Sequence, residues 1–421
     1  MYLTENNILS ADIDNIPIDT TWNQGDSKYD LMHGIHAYPA KFPPFITTKA
    51  LDYANSKGLN VETIADIFCG CGTVAYEALA NGKNFFGCDI NPVATLIART
   101  KCRKYDNTQL ALYFEKNHNE FDSIKVCEYN EFSKNERIRY WFDDNQISHL
   151  YKLRQSIFEV VADKKYQDFF FCAYSAILKS CSRWLTRGIK PQVDPNKVPK
   201  NVWEAFEKEV HLMLRANKSS NIKTSCHATI KTISVLELKN VQNLADMVIT
   251  SPPYVTSYEY ADLHQLSTLC LGYSTDYKFF RNGSIGSLYG SKKTDVNIDE
   301  INSVGHSIVM RMQAVDKSRA KSIAHYYIDM QLAVKKVKEL LRSGGLAVFV
   351  IGNTEYRGVK IDNARHLAKS LLDEDFRNVE IKRRKISNKL LTPYRDEHGK
   401  FSSHKDCRKV YSEEFIIFAQ K

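Results

Sequence analysis

The segment Glu62-Thr63-Ile64-Ala65-Asp66-Ile67-Phe68-Cys69-Gly70-Cys71-Gly72-Thr73 constrains the fold of this chain more than any other. An apolar run ending near an acid reads as a buried strand. Two glycines one residue apart then free the backbone to turn into the helical pattern over 74–80, which Asn81-Gly82 stops. A second strand pattern, 84–89, ends on Asp89, and Asn91-Pro92 opens another helix through Thr100. Strand, glycine loop, helix, strand, acid is the order of a nucleotide-type βαβ unit, and such units build parallel sheets. The loop admits more than one ligand. Gly70-x-Gly72-x-x-Ala75 with Asp89 fits the loose dinucleotide fingerprint. With Asp66 and Phe68 ahead of the glycines, it also fits a nucleoside that carries an amino acid and no phosphate, such as S-adenosylmethionine. Phe68 then flanks the ligand and Asp89 accepts from both ribose hydroxyls.

A second signal lies far downstream. Met247-Val248-Ile249 reads as a buried strand and runs into Thr250-Ser251-Pro252-Pro253-Tyr254. Each proline fixes its φ and lacks an N–H, so the strand end is a stiff shelf with carbonyls free to bind something else. A hydroxyl, a carbonyl and a flat ring held together suit a planar group with an exocyclic amino group: two acceptors for its protons and a face for stacking.

The rest of the chain places these two signals. Residues 1–30 are polar and read as an extended arm. A turn-rich aromatic segment, His33 onward to Pro44, precedes a helical pattern over 45–55. From about 105 to 225 the strand–helix alternation breaks into helical patterns, with Leu150, Leu153, Ile157, Val160 and Val161 as a core stripe, and reads as an insertion of its own. Strands resume at 229–233 and 245–250. Residues 276–325, polar and carrying Gly283, Gly286 and Gly290, read as a mobile loop. A helix over 325–342, a turn at Ser343-Gly344-Gly345, a strand over 346–351 and a hairpin from 379–384 and 415–418 complete the pattern. The expected fold is α/β: a Rossmann-like sheet with a mostly helical insertion.

Composition sets the remaining bounds. The net charge of +9, from 58 basic and 49 acidic residues, is compatible with a polyanionic partner. Ten cysteines show no C-x-x-C spacing, and Cys69 and Cys71 stand too close for an ordinary zinc pair, so no metal site is expected. Reduced thiols, a polar start without a signal-peptide pattern and the lack of a membrane-length apolar run give a cytoplasmic expectation with no membrane partner. Cys69, Cys71 and Cys88 read as packing residues, and His33 and His36 as loop hydrogen-bonders.

Taken together, these motifs resemble the prokaryotic DNA amino-methyltransferases of restriction–modification systems. Asp66-Ile67-Phe68-Cys69-Gly70-Cys71-Gly72 is similar to their S-adenosylmethionine loop. Thr250-Ser251-Pro252-Pro253-Tyr254 is similar to their catalytic motif, in the form typical of cytosine-N4 enzymes; adenine-N6 enzymes more often carry Asp or Asn in place of Ser251. His36-Ala37-Tyr38-Pro39-Ala40-Lys41-Phe42-Pro43-Pro44 resembles the segment that closes over the methionine end of the cofactor, and the stretch from Arg383 to Arg395, with Asn388 and Pro393, resembles their C-terminal tail. The resemblance covers 31–104 and about 226–421, the expected catalytic domain.

The resemblance implies S-adenosylmethionine as cofactor, held by Tyr38, Pro39, Lys41, Asp66, Phe68, Gly70, Gly72, Thr73, Asp89, Ile90, Asn91 and Thr250. It implies Ser251, Pro252, Pro253 and Tyr254 as the catalytic shelf, and double-stranded DNA with a flipped-out base as substrate. A restriction endonuclease is then a counterpart in function only. Residues 105–225 are expected to read the target, with 276–325 as a rival. Arg183, Arg187, Lys190, Gln192, Lys197, Lys292 and Lys293 are candidate DNA contacts. An adenine-N6 enzyme and an RNA amino-methyltransferase remain alternatives. The family's acid at the end of the strand before the catalytic one has no clear counterpart: Ser234 stands near it, with Glu237 a weak candidate. No Pro-Cys dipeptide occurs, which excludes the carbon-5 cytosine chemistry.

Overall fold

A computed structural model describes all residues except 25–28, 126–129, 187–190, 256–258, 288–295, 387–393, 396–400, 403, 405–407 and 410–411. The strands are β1 (Thr63–Asp66), β2 (Asn84–Asp89), β3 (Ala228–Thr232), β4 (Ala245–Thr250), β5 (Leu341–Ile351), β6 (Thr354–Tyr356), β7 (Val359–Ile361), β8 (Arg377–Lys385), β9 (Tyr394–Arg395), β10 (Phe401–Ser402), β11 (Arg408–Lys409) and β12 (Glu413–Gln420). Seven of them form the central sheet in the order β3-β2-β1-β4-β5-β12-β8. The first five are parallel; β12 runs antiparallel to both β5 and β8. This is the expected α/β architecture.

Helices α1 (Pro44–Ser56), α2 (Thr73–Ala80) and α3 (Pro92–Lys101) flank the first strands. The helices α4 (Asn107–Ser123), α5 (Glu136–Trp141), α6 (Asp144–Val160), α7 (Lys164–Ile177) and α8 (Val202–Ser219) follow. Then come α9 (Tyr260–Leu263), α10 (Gln265–Cys270), α11 (Ser303–Gln313), α12 (Lys317–Leu340) and α13 (Asn363–Asp373). Strand alternation sorts the core. On β5, Leu346, Val348 and Val350 pack with residues of α1 and α2, while Ala347, Phe349 and Ile351 pack with residues of α11, α12 and α13. The sheet is therefore buried on both faces, as parallel sheets are.

Three expectations change. The described part of 1–30 is not an extended arm. Leu3, Ile8, Ile13 and Ile16 are buried, and the segment bonds to the edge strand β8 through Leu3 N–Val379 O (2.7 Å) and Asp19 N–Arg383 O (2.7 Å). An exposed sheet edge is thereby covered. Residues 276–325 are not one mobile loop: α11 and the first turns of α12 lie there. Val304, Ile308, Val309 and Met312 bury one helical face, and the Asp316 carboxylate caps α12 by accepting from Arg319 N at 2.9 Å. The segment over 105–225 is helical but shares its core with the sheet's flank. Val93, Leu96 and Ile97 of α3 join Leu150, Phe169, Phe170 and Phe206, and Asp168 accepts from Arg99 (3.1 Å) and Arg103 (2.7 Å).

The topology dictates where a ligand fits. From β1 the chain moves outward to β2 on one side; from β4 it moves outward to β5 on the other. Between the carboxyl ends of β1 and β4 lies the switch point, the place where open α/β sheets leave a crevice.

Candidate active site

Asp66 ends β1 and Thr250 ends β4. Those strands are neighbours, so the two motifs, far apart in sequence, meet. Thr250 Oγ1 donates to Asp66 Oδ1 at 2.6 Å, and the same oxygen accepts from Phe68 N at 3.0 Å. Both side chains are buried. Burial pushes the Asp66 carboxyl up to about 7, against the lowering pull of these hydrogen bonds.

Asp89, at the end of β2, accepts from Gly70 N at 2.9 Å and from Asn91 N at 2.8 Å, one bond on each oxygen. Desolvation raises it to about 6. Each oxygen keeps a lone pair for a further donor. Asn91 also caps α3, its side chain accepting from Val93 N at 3.0 Å. No cation pairs with Asp66 or Asp89 among the described residues.

Gly70 adopts φ +48°, and a Cβ there would meet the Tyr38 ring at 3.6 Å. Tyr38 in turn stacks on His264 at 4.9 Å with a 27° interplanar angle. Gly72 has φ +75°, and a Cβ would fall 2.7 Å from Ala98 Cα. Gly72 thus serves the close packing of α3 on the loop.

A cleft of about 1930 Å³ opens over the switch point. Its walls hold Tyr38, Pro39, Lys41, Asp66, Phe68, Gly70, Thr73, Asp89, Ile90 and Asn91 together with Ser251, Pro252, Pro253 and Tyr254. Gly72 and Thr250, expected on the cofactor, are not in those walls; Thr250 is fully buried and acts on Asp66 instead. Among the described residues, neither the Ser251 hydroxyl nor the Pro252 carbonyl has a hydrogen-bond partner. The Tyr254 hydroxyl lies 3.4 Å from Glu414 Oε2.

The aromatic segment over 33–44 is fixed by its own polar groups. His36 Nδ1 meets the Ala37 carbonyl at 2.9 Å, so that nitrogen carries the proton, and Nε2 lies 2.9 Å from the Ser175 hydroxyl. Burial, with help from nearby Lys101 and Lys41, lowers His36 to about 4, so it stays neutral. His33 bonds Glu77 at 2.7 Å. Lys41 donates to the His33 and His36 carbonyls and holds the turn. Cys69 and Cys88 are buried, and burial pushes both thiols up, as packing residues require.

The expected DNA contacts fare differently. Arg183 donates to the Arg139 (3.0 Å) and Tyr140 (2.7 Å) carbonyls, and Lys197 to those of Lys179 (2.7 Å) and Trp184 (2.8 Å). Both groups brace the helical region. Gln192 is exposed. Arg187, Lys190, Lys292 and Lys293 lie outside the described residues, as do Asn388 and Pro393. Ser234 reaches the cleft wall while its hydroxyl accepts from Leu236 N at 3.3 Å; Glu237 does not line the cleft.

Two site residues escaped the sequence reading. Arg384 and Glu414 form a buried ion pair in the cleft wall, beside Tyr254. The sequence carries both halves as Lys382-Arg383-Arg384-Lys385 and Glu413-Glu414, opposite charges on two strand patterns. Reading those runs as cross-strand partners is the signal that finds them.

Along nearly its whole length the chain is a homologue of a Type II methyltransferase. It is 23% identical to M.MvaI of Kocuria varians over 413 residues, a match spanning 89% of this chain and 88% of that one. A local match to the Type II methyltransferase M.MjaII of Methanocaldococcus jannaschii reaches 39% identity over 80 residues, 19% of this chain and 14% of the other. Among solved structures, the rRNA methyltransferase aviRa of Streptomyces viridochromogenes is 11% identical, with a TM-score of 0.31 over 94% of each chain. A SAM-dependent methyltransferase of Methanosarcina mazei is 10% identical, with a TM-score of 0.30, covering 92% of this chain and 98% of that one. No protein-family model matches the chain.

Proposed function

We propose that this chain is a DNA methyltransferase that uses S-adenosylmethionine to methylate the exocyclic N4 of cytosine in duplex DNA, as the protective half of a restriction–modification pair. One observation carries the reading: the Thr250–Asp66 bond at 2.6 Å joins the proline shelf to the glycine loop at the edge of a single cleft. The full-length similarity to a Type II methyltransferase supports it.

The residues fit the cofactor. Asp66 and Asp89 offer negative charge without a cationic partner among the described residues, which suits a ligand bearing a sulfonium and an ammonium group. Asp89 retains acceptor capacity for ribose hydroxyls, and Tyr38, Phe68 and Ile90 supply apolar wall. When bound, the cofactor supplies an electrophilic methyl group.

The chain's own part is to present the nucleophile. The amino nitrogen of cytosine is weakly nucleophilic because its lone pair is delocalised into the ring. Ser251 Oγ and the Pro252 carbonyl accept its two protons and favour a more pyramidal nitrogen. Positive charge grows on that nitrogen during transfer, so these acceptors stabilise the transition state more than the ground state. Pro253 stiffens the shelf and Tyr254 stacks on the base. Flipping the base costs a few kcal/mol, and stacking offsets about 1–3 kcal/mol of it. The helical region over 105–225 reads the target; Lys179, Trp184, Leu212 and Arg215 carry it to the cleft wall.

The test is labelled S-adenosylmethionine offered with duplex DNA and with RNA, followed by nucleoside analysis. N4-methylcytosine in DNA is the expected product. N6-methyladenine in DNA selects the adenine reading, and label confined to RNA overturns the DNA assignment.

A further inference from the structure

Glu414 of β12 and Arg384 of β8 stand directly opposite each other in the sheet. They are 7% and 2% exposed, rare burial for charged residues. Arg384 Nε donates to Glu414 Oε1 at 2.6 Å, and Nη2 approaches the same oxygen at 2.5 Å. Nη1 donates to the Trp22 carbonyl at 3.2 Å, and the guanidinium lies over the Phe45 ring at 5.3 Å. The arginine thus engages Oε1 alone. Oε2 is left for the Tyr254 hydroxyl, 3.4 Å away. Burial, and then the charge of Glu414, raises the Tyr254 phenol, so it stays protonated and donates. Gly352 lies beside the ring, where a Cβ would make ordinary contact with it at 3.5 Å.

A buried ion pair is a weak stability device, since apolar residues of similar volume often do as well. Its place in the cleft wall, with one oxygen turned to the shelf tyrosine, calls for another role. Resting on the methyl-transfer reading above, we infer that Glu414, locked by Arg384, is a positioning residue that holds the hydroxyl end of Tyr254 and so the place of the ring on which the target base stacks. Without that anchor the side chain swings away, and the stacked base leaves its attack geometry; small misplacements of this kind are costly in rate.

The experiment is single-turnover methylation of duplex DNA by wild type, E414Q, Y254F and the E414Q/Y254F double variant, with cofactor affinity measured by calorimetry. E414Q is expected to slow transfer about tenfold, the scale of one hydrogen bond to a charged group. Cofactor affinity stays within about twofold. The double variant is no slower than the slower single variant, because both substitutions remove the same bond. Losses that multiply, or a wild-type rate in E414Q, overturn the inference. E414Q strands a buried arginine and can unfold the chain, so R384M/E414M is the second variant. It removes both charges, is expected to fold, and must show the same loss of about tenfold; a wild-type rate there also overturns the inference. If wild type places no label on DNA, the methyl-transfer reading fails in that arm alone. An active wild type without the coupling sinks only the role of Glu414.

Discussion

The two ends of the cleft treat negative charge in opposite ways. At the β1–β4 crevice, Asp66 and Asp89 accept only from neutral donors: Thr250 Oγ1 and the backbone N–H groups of Phe68, Gly70 and Asn91. On the antiparallel strands two carboxylates each have an arginine, Glu414 with Arg384 and Glu413 with Arg383. Burial without a cation raises Asp66 to about 7 and Asp89 to about 6. Such a site gains when a cation arrives, whereas the closed pair gains nothing and serves to hold a neighbour still. On the proposed reading, one end receives a ligand and the other sets orientation, with the Ser251–Tyr254 shelf between them.

Ser251→Ala is the largest break. Turnover should fall about 100–1000-fold, as when one transition-state hydrogen-bond partner is lost, while cofactor affinity holds. Asp89→Ala should do the reverse, weakening the cofactor Kd about 10–100-fold with turnover at saturation nearly kept. Calorimetry and saturation kinetics separate the two. Equal weakening of cofactor binding in both variants means the shelf and the ligand end have been confused.

A pH titration sharpens the contrast next. Protonation removes the charges that a cationic ligand meets, so cofactor affinity should drop as pH falls through 7 and then 6, about tenfold over the window. Stability of the free protein moves the other way. Carboxyls raised in the fold contribute stability that is full below about 4 and lost as pH rises through 6 to 7. The melting temperature of the free protein should decline across that window, and cofactor should offset the decline at its upper end. Opposite slopes mean these carboxyls are ionised and satisfied without ligand.

The smallest effect belongs to the outer pair. Arg383 and Glu413 have side chains 21% and 32% exposed, so E413Q should change stability by less than about 1 kcal/mol. A larger loss in thermal unfolding removes the distinction between inner and outer pairs.

Much of the ligand end was legible because its signals are local. Strand, glycines, helix cap and acid sit within 30 residues, from Thr63 to Asn91, and each dictates its own backbone. Helix α11 was hidden because Gly305 and the polar residues around it resemble loop, while its buried stripe acquires meaning only against α12 and α13. Thr250 was assigned to the cofactor because sequence order cannot show that its neighbour across the sheet is Asp66. The bracing bonds of Arg183 and Lys197 were not legible because carbonyl partners leave no trace in composition. Arg384 and Glu414, 30 residues apart, became a pair only through the register of β8 with β12.

The most direct test is a crystal structure of the protein with S-adenosylhomocysteine. The account predicts ribose hydroxyls on Asp89 and the sulfur facing Ser251 and Tyr254. A ligand seated elsewhere, with Asp89 still bonded only to the Gly70 and Asn91 amides, contradicts it.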